Sequence, residues 1–398
     1  MPTIPDTSVK HIHNGMRGAP QITGTVGSGY IPVLDALFVS GWGLTTALSV
    51  TVADGIATAT LTSGQTFDRT SVVLVAGATP SELNGEARVL TSSNTSIAWA
   101  TTAADGVATG TITIKYAPQA SWVSPYAKTN VKVYRSTHAQ SSGHCLRVDD
   151  TGTTSARIRG FESMSDVDTG VGPFPTDAQM SGGGYWWRSI NANATPVKYK
   201  MFCDERFLIS SIAAGFSSAA TNLSAFARGF GDPIPLSPSG DAWATLLSVM
   251  WSLVGNSSQG SLDSQITPST TSGLTCAPRA FSGLGTSEIL TNRSFIGSSG
   301  ARSGADPWLG PIPSPVDGQV KTSRIFLGST PPAPPRCIVP GIHYIPQTGA
   351  GGGTLSDGDI LDGAGDLSGK KLMVVSLGAS YSSTPDGAYL VDITGPWR

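Results

Sequence analysis

The sequence predicts a mainly β fold: a large β-sandwich or jelly-roll-like domain with a small β-barrel or β-sandwich module near the N-terminus. Three observations lead there. The 48 glycines and 27 prolines, with abundant Ser and Thr, interrupt any long helical pattern. Short segments such as 130–134 (NVKVY) and 156–161 (ARIRGF) instead alternate β-branched or aromatic residues with polar ones. Apolar residues make up 39% of the chain and recur along it, enough to build a core.

Residues 1–29 read as an extended arm punctuated by Gly and Pro. The first credible element is 31–40 (IPVLDALFVS), a short helix with Pro32 in its first turn, ended by Gly41 and Gly43. An internal echo follows: ADGIATATLT at 53–62 and ADGVATGTIT at 104–113, each an Asp-Gly turn leading into a strand. Two copies are too few for a solenoid and predict the opening and closing strands of one compact module. Between them lie 71–76 (SVVLVA), 86–91 (EARVLT) and 95–100 (TSIAWA), read as strands.

Beyond residue 119, KTNVKVYRS (128–136), HCLRVDD (144–150) and SARIRGFESM (155–164) predict a meander. A Gly/Pro/Asp loop is expected over 166–184. TPVKYKMFC (195–203) and RFLISSIAA (206–214) read as a hairpin around Asp204 and Glu205, and 224–236 as a further strand. Residues 241–254 (DAWATLLSVMWSLV) suit either a helix capped by Asp241 or a buried strand. Residues 255–305 read as polar loop, and 324–329 and 370–379 as late strands around the Pro-rich joint 331–335. The implied organisation is 1–45, arm and first element of the main domain; 46–118, the small module, inserted; and 119–398, the main sandwich.

Composition limits the function. Charged residues are only 13% of the chain, and 27 acids nearly cancel 25 bases, so neither nucleic acid nor an anionic membrane is an expected partner. The longest apolar-rich stretch, 243–254, is too short to span a bilayer, and the N-terminus shows no apolar signal region. Sparse charge suits a protein held in an assembly. Cys145, Cys203, Cys276 and Cys337 lie far apart, which fits isolated core thiols better than a zinc module or disulfide scaffold.

Candidate chemistry is thin. His11 and His13 could share one strand face as metal ligands, but a solvated arm explains them as well. Of the glutamates Glu82, Glu86, Glu162, Glu205 and Glu288, none shows the paired pattern of a glycosidase. The Gly182, Gly183, Gly184 and Gly351, Gly352, Gly353 runs lack the endings of phosphate loops. Asp357, Asp359, Asp362 and Asp366 alternate with glycines as hard-oxygen calcium ligands can, without an EF-hand spacing; Asp166, Asp168 and Asp177 form a lesser candidate. Tyr185, Trp186, Trp187 and Arg188 are the residue types that concentrate binding energy at interfaces, so they are the candidate partner-binding cluster. On a strand, alternate members would instead bury. No catalytic residue, cofactor or firm metal site is predicted.

Two stretches resemble bacteriophage proteins. GATPSELNGE (77–86), followed by a strand and TSIAWA, resembles a β module recurrent in phage tail proteins, with Ile97 and Trp99 where aromatics are usual. Residues 146–176, 228–248 and 389–398 (YLVDITGPWR) resemble an uncharacterised family of virion proteins of Mu-like and related siphophages. The resemblance implies a non-enzymatic virion part associated with the tail tip, baseplate or fibre. Head decoration, or binding of a host-surface carbohydrate or receptor, is the alternative. It would assemble in the host bacterial cytoplasm as a three- or six-fold homo-oligomer among other virion proteins, with the arm reaching a neighbour.

Overall fold

The computed structural model describes residues 3–189, 191–213, 227–250, 273–292, 306–329, 333–345, 347–348, 355–377 and 387–398. The fold is mainly β and sandwich-like, built from large antiparallel sheets.

Local chemistry sets the first hairpin. Asp54 (φ 54°) and Gly55 (φ 74°) both adopt left-handed conformations, the requirement of a type I′ turn. They join β3 (Ser49–Ala53) to β4 (Ile56–Thr60), with Val50, Val52, Ala57 and Ala59 buried on one face. The second Asp-Gly does not repeat this. It leads only into the two-residue β9 (Gly106–Val107), which pairs with β3.

These strands belong to a five-stranded sheet, β7 (Thr91–Ser92)–β8 (Ser96–Ala100)–β4–β3–β9. A four-stranded sheet, β2 (Trp42–Thr46)–β10 (Thr113–Tyr116)–β5 (Val72–Ala76)–β6 (Gly85–Arg88), contributes Val73, Val75 and Ile114 to the same core. The expected strand 86–91 is split between the sheets. The Val89 amide donates to the Ser71 carbonyl (2.9 Å) and the Leu90 amide to the Ala98 carbonyl (2.8 Å), so the chain crosses over there. Among the described residues, the strands within 42–116 pair only with one another.

The first helix, α1 (Tyr30–Asp35), continues as a wider i→i+5 turn over Ala36–Ser40 and stops at Gly41 (φ 67°). Its buried Phe38 stacks on Trp122 at 4.4 Å. The N-terminal segment is no free arm. β1 (Lys10–His13) pairs with β17 (Tyr199–Cys203), and Val9, Ile12, Met16 and Ile22 are buried in the chain's own core.

The meander forms as β11 (Trp122–Lys128), β12 (Val131–Ser136), β13 (Cys145–Asp149) and β14 (Ser155–Met164). One edge of β14 carries two strands end to end, β15 (Gly170–Phe174) and β16 (Gly184–Trp187). β15 corrects the expected loop over 166–184. The hairpin of β17 and β18 (Phe207–Ile212) is closed by Asp204, whose Oδ1 accepts the amides of Arg206 (2.8 Å) and Phe207 (2.6 Å).

From β18 pairing continues through β19 (Arg228–Gly231) to β21 (Leu246–Met250), with every β21 residue buried. The ambiguous segment at 241–254 therefore holds a strand over 246–250, with 241–245 a turn leading into it; 251–254 lie outside the described residues. β20 (Ile234–Pro235) follows β19. The expected loop 255–305 contains β22 (Gly273–Ala277) and β23 (Glu288–Asn292) in its described part. β24 (Asp306–Pro311) pairs in parallel with β27 (Gln347–Thr348). β25 (Ser323–Gly328) and the ten-residue β26 (Pro335–Tyr344) lead to β30 (Gly387–Asp392), β29 (Lys371–Leu377) and β28 (Ile360–Asp362). Gly351, Gly352 and Gly353 lie outside the described residues.

Candidate functional site

Strand alternation divides the aromatic cluster. Trp186 is fully buried, its indole donating to the Ser248 carbonyl at 2.7 Å. Tyr185 and Trp187 are half-buried, and the Arg157 guanidinium covers the Tyr185 ring at 4.3 Å. Arg188 is fully buried against Asp150 at 2.7 Å, and it also donates to the carbonyls of Thr25 (2.7 Å) and Thr153 (2.8 Å). The other Asp150 oxygen accepts the Ile31 amide at 2.9 Å, fixing the start of α1. Gly29 is required beside this pair, because a Cβ there would overlap both the guanidinium and the carboxylate. Trp186 and Arg188 hold the fold together and are not a contact platform.

The acidic loop does not gather as the calcium pattern expects. Asp357 pairs with Lys200 and accepts the Ser376 amide at 3.1 Å; Asp359 accepts the Ser356 amide at 2.8 Å; Asp362 pairs with Lys371; Asp366 is exposed in the turn Gly365–Leu367. Asp168 is bound by Lys128 and Arg147, and Asp177 by Arg159. Among the described residues no three His, Cys, Asp or Glu side chains converge as a metal site.

His11 is buried rather than solvated. Burial first, then His13 and Arg88, lower its pKa to about 3. The four cysteines are buried free thiols. The glutamates face bases: Glu162 on Arg279 (2.6 Å), Glu288 on Arg336 (2.5 Å), Glu86 on Lys10 (3.0 Å) and Glu205 on His138 (3.2 Å). Glu82 lies in the turn Ser81–Leu83.

The residues that do converge were not singled out by sequence. A cleft of about 620 Å³ opens between the loop at 140–142, the turn after β19 and the approach to β21. At its floor, Asp232 Oδ1 accepts the hydroxyls of Ser142 and Thr245, both at 2.7 Å. Its Oδ2 accepts the Ser141 hydroxyl (2.9 Å) and the Ser142 amide (2.8 Å). Thr245 Oγ1 also lies 2.7 Å from His144 Nδ1, on a ring whose pKa burial lowers. With the Thr245 proton on Asp232, the neutral imidazole donates from Nδ1, and the network is consistently oriented. It clips the 140–142 loop to the segment entering β21, and Ser141 and Ser142 line the cleft. No sequence signal could mark it, since 141–144 stand about a hundred residues from Thr245, and its members fall in a turn, in expected strands and in the segment left between helix and strand.

No protein-family model matches the chain, and no curated protein matches it.

Proposed function

We propose that the chain is a non-enzymatic structural component of a tailed-bacteriophage virion, associated with the tail tip, baseplate or fibre and acting through protein–protein contacts as a homo-oligomer. One observation carries the non-catalytic part of this reading: the side chains with the richest chemistry are committed to the fold itself. Arg188 and Asp150 neutralise each other out of contact with water, Trp186 is a core residue, and Glu162 and Glu288 are each bound by an arginine. Groups locked this way stabilise a scaffold and are poorly placed to move protons or attack a substrate. The low charge content supports a life within an assembly. The phage setting is supported by the resemblances of 77–100, 146–176, 228–248 and 389–398.

The test is quantitative mass spectrometry and cryo-EM of particles purified from the phage encoding the chain. The expected result is a fixed copy number, a multiple of three or six, with density in the tail. Density on the capsid assigns head decoration. Exposed binding at a distal tip, with adhesion to host cells, assigns host-surface recognition. Absence from purified particles overturns the proposal.

A further inference from the structure

We propose that the cleft over Asp232 binds a small polyhydroxylated carboxylate, a sugar acid of one or two rings, with the Arg206 guanidinium receiving its carboxylate. The inference is independent of the virion reading, because it rests on the cleft alone.

Hydrogen-bonding capacity, rather than net charge, selects the group the cleft can take: Asp232 keeps its negative charge, but neutral donors fill its lone pairs, which leaves Arg206 as the ionic group with free donors. Two acids line the cleft, and both are satisfied internally. Asp232 accepts four hydrogen bonds, the full capacity of a carboxylate. Asp241 is gripped by the fork of Arg336, at 3.0 Å to one oxygen and 3.1 Å to the other. The acids near Arg206 are also engaged elsewhere: Asp204 with Arg398 (2.9 Å) and Glu205 with His138 (3.2 Å). Arg206 itself donates to the Gln140 carbonyl at 3.1 Å and, among the described residues, forms no ion pair. A half-buried guanidinium with most of its fork unused matches a planar carboxylate, which it can hold with two parallel hydrogen bonds.

The rest of the wall selects the body of the ligand. Ser141 and Ser142 line the cleft; their hydroxyls donate to Asp232 and accept the Gly143 and His144 amides (3.2 and 3.4 Å), so each oxygen has at most one acceptor position left for a ligand hydroxyl. Gln140 and Ser239 add neutral polar side chains. The cleft is far larger than acetate needs and falls in the range of small-ligand sites, roughly 300–1,000 Å³.

The experiment is calorimetric or NMR titration of the full chain with glucuronate, glucose and acetate. Glucuronate should bind in the millimolar range, with glucose about tenfold weaker or more for want of the bidentate contact, and acetate about tenfold weaker or more for want of the hydroxyls. Arg206→Gln should keep its melting temperature and lose the preference for glucuronate over glucose. Arg206→Lys, which keeps the charge without the fork, should weaken glucuronate binding several-fold, and it serves if the Gln variant misfolds. Equal binding of acetate and glucuronate, no glucuronate binding at about 20 mM, or unchanged affinity in both arginine variants overturns the proposal.

Discussion

His11 in β1 and His343 in β26 are both buried, and both are held neutral by their surroundings. Burial is the first cause in each case. His13 and Arg88 add to it at His11, and Arg324 adds to it at His343; the pKa values fall to about 3 and about 4. Above the unfolded value near 6.5 neither state binds a proton at these rings, and they make no difference to stability. Below it the unfolded chain takes up protons that the native chain refuses. Stability therefore falls as pH drops from 6.5, levelling near pH 4 for His343 and near pH 3 for His11. Two pH units below 6.5 this amounts to about 2–3 kcal/mol per histidine. Urea melts at pH 7.5 and 4.5 should show the loss, and His11→Gln with His343→Gln should flatten it; an unchanged slope in the double variant refutes the assignment. At this scale the sequence was legible wherever a residue answers to its neighbours in the strand. Alternation buried Trp186 and left Trp187 half out, as a strand reading allows. The burial of His11 was not legible, since nothing in KHIH announces that a distant strand covers it.

β1 shows how tertiary pairing overrides local texture. Its sequence carries a lysine and two histidines, and it follows a stretch punctuated by proline. Yet Lys10, His11 and Ile12 are all nearly inaccessible because β17 lies alongside in antiparallel register, Lys10 opposite Cys203 and His13 opposite Lys200. The same effect hid β15, which fell in an expected loop, and β26, of which only Pro335 was placed, in the Pro-rich joint. β26 contains Gly341 in a left-handed conformation (φ 72°), where a Cβ would run into the Trp397 ring, so the strand bends at a residue that sequence reading treats as a breaker. The hairpins were legible because their turns are local: Asp54 with Gly55, and Asp204 capping its own loop. Deleting residues 1–15 should consequently damage the fold itself. The deletion strips one side of β17 of its ladder, about 1 kcal/mol for each lost hydrogen bond. It also removes the buried Val9 and Ile12, about 1.5–3 kcal/mol each. Insoluble expression, or a melting temperature lower by many degrees, is expected. A deletion variant that melts like the full chain would restore the free-arm reading.

The two small sheets share the apolar core of the rest of the molecule, and one buried cation ties them to both ends of the chain. Arg88, at the end of β6, is buried and donates to carbonyls from separate parts of the chain: Asp6 (2.7 Å), Val9 (3.2 Å), Thr70 (2.6 Å), Ile393 (2.7 Å) and Thr394 (3.2 Å). Burial lowers its pKa to about 10, against the opposing charges of Asp6, Asp392 and Glu86, and the guanidinium stays protonated at neutral pH. Lys10 reinforces the junction through Glu86, and Arg17 reaches the Thr66 carbonyl and covers the Phe67 ring. Contacts spanning some three hundred residues leave no local mark, so the sequence could suggest a separate small module but not how it is held. Arg88→Met keeps the aliphatic bulk and removes every donor, leaving several buried carbonyls without partners, each costing about 1–3 kcal/mol. If Arg88 is the clasp, hydrogen exchange should show residues 3–13, β6 and residues 387–398 losing protection together, while the meander β11–β14 keeps its own. Arg88→Lys should recover only part of that protection, because one ammonium has three donors to offer where the guanidinium offers five. Loss confined to β6 would mean that the two segments are held by their own strand pairing, β1 on β17 and β30 on β26 and β29, and that the cation merely fills the space between them.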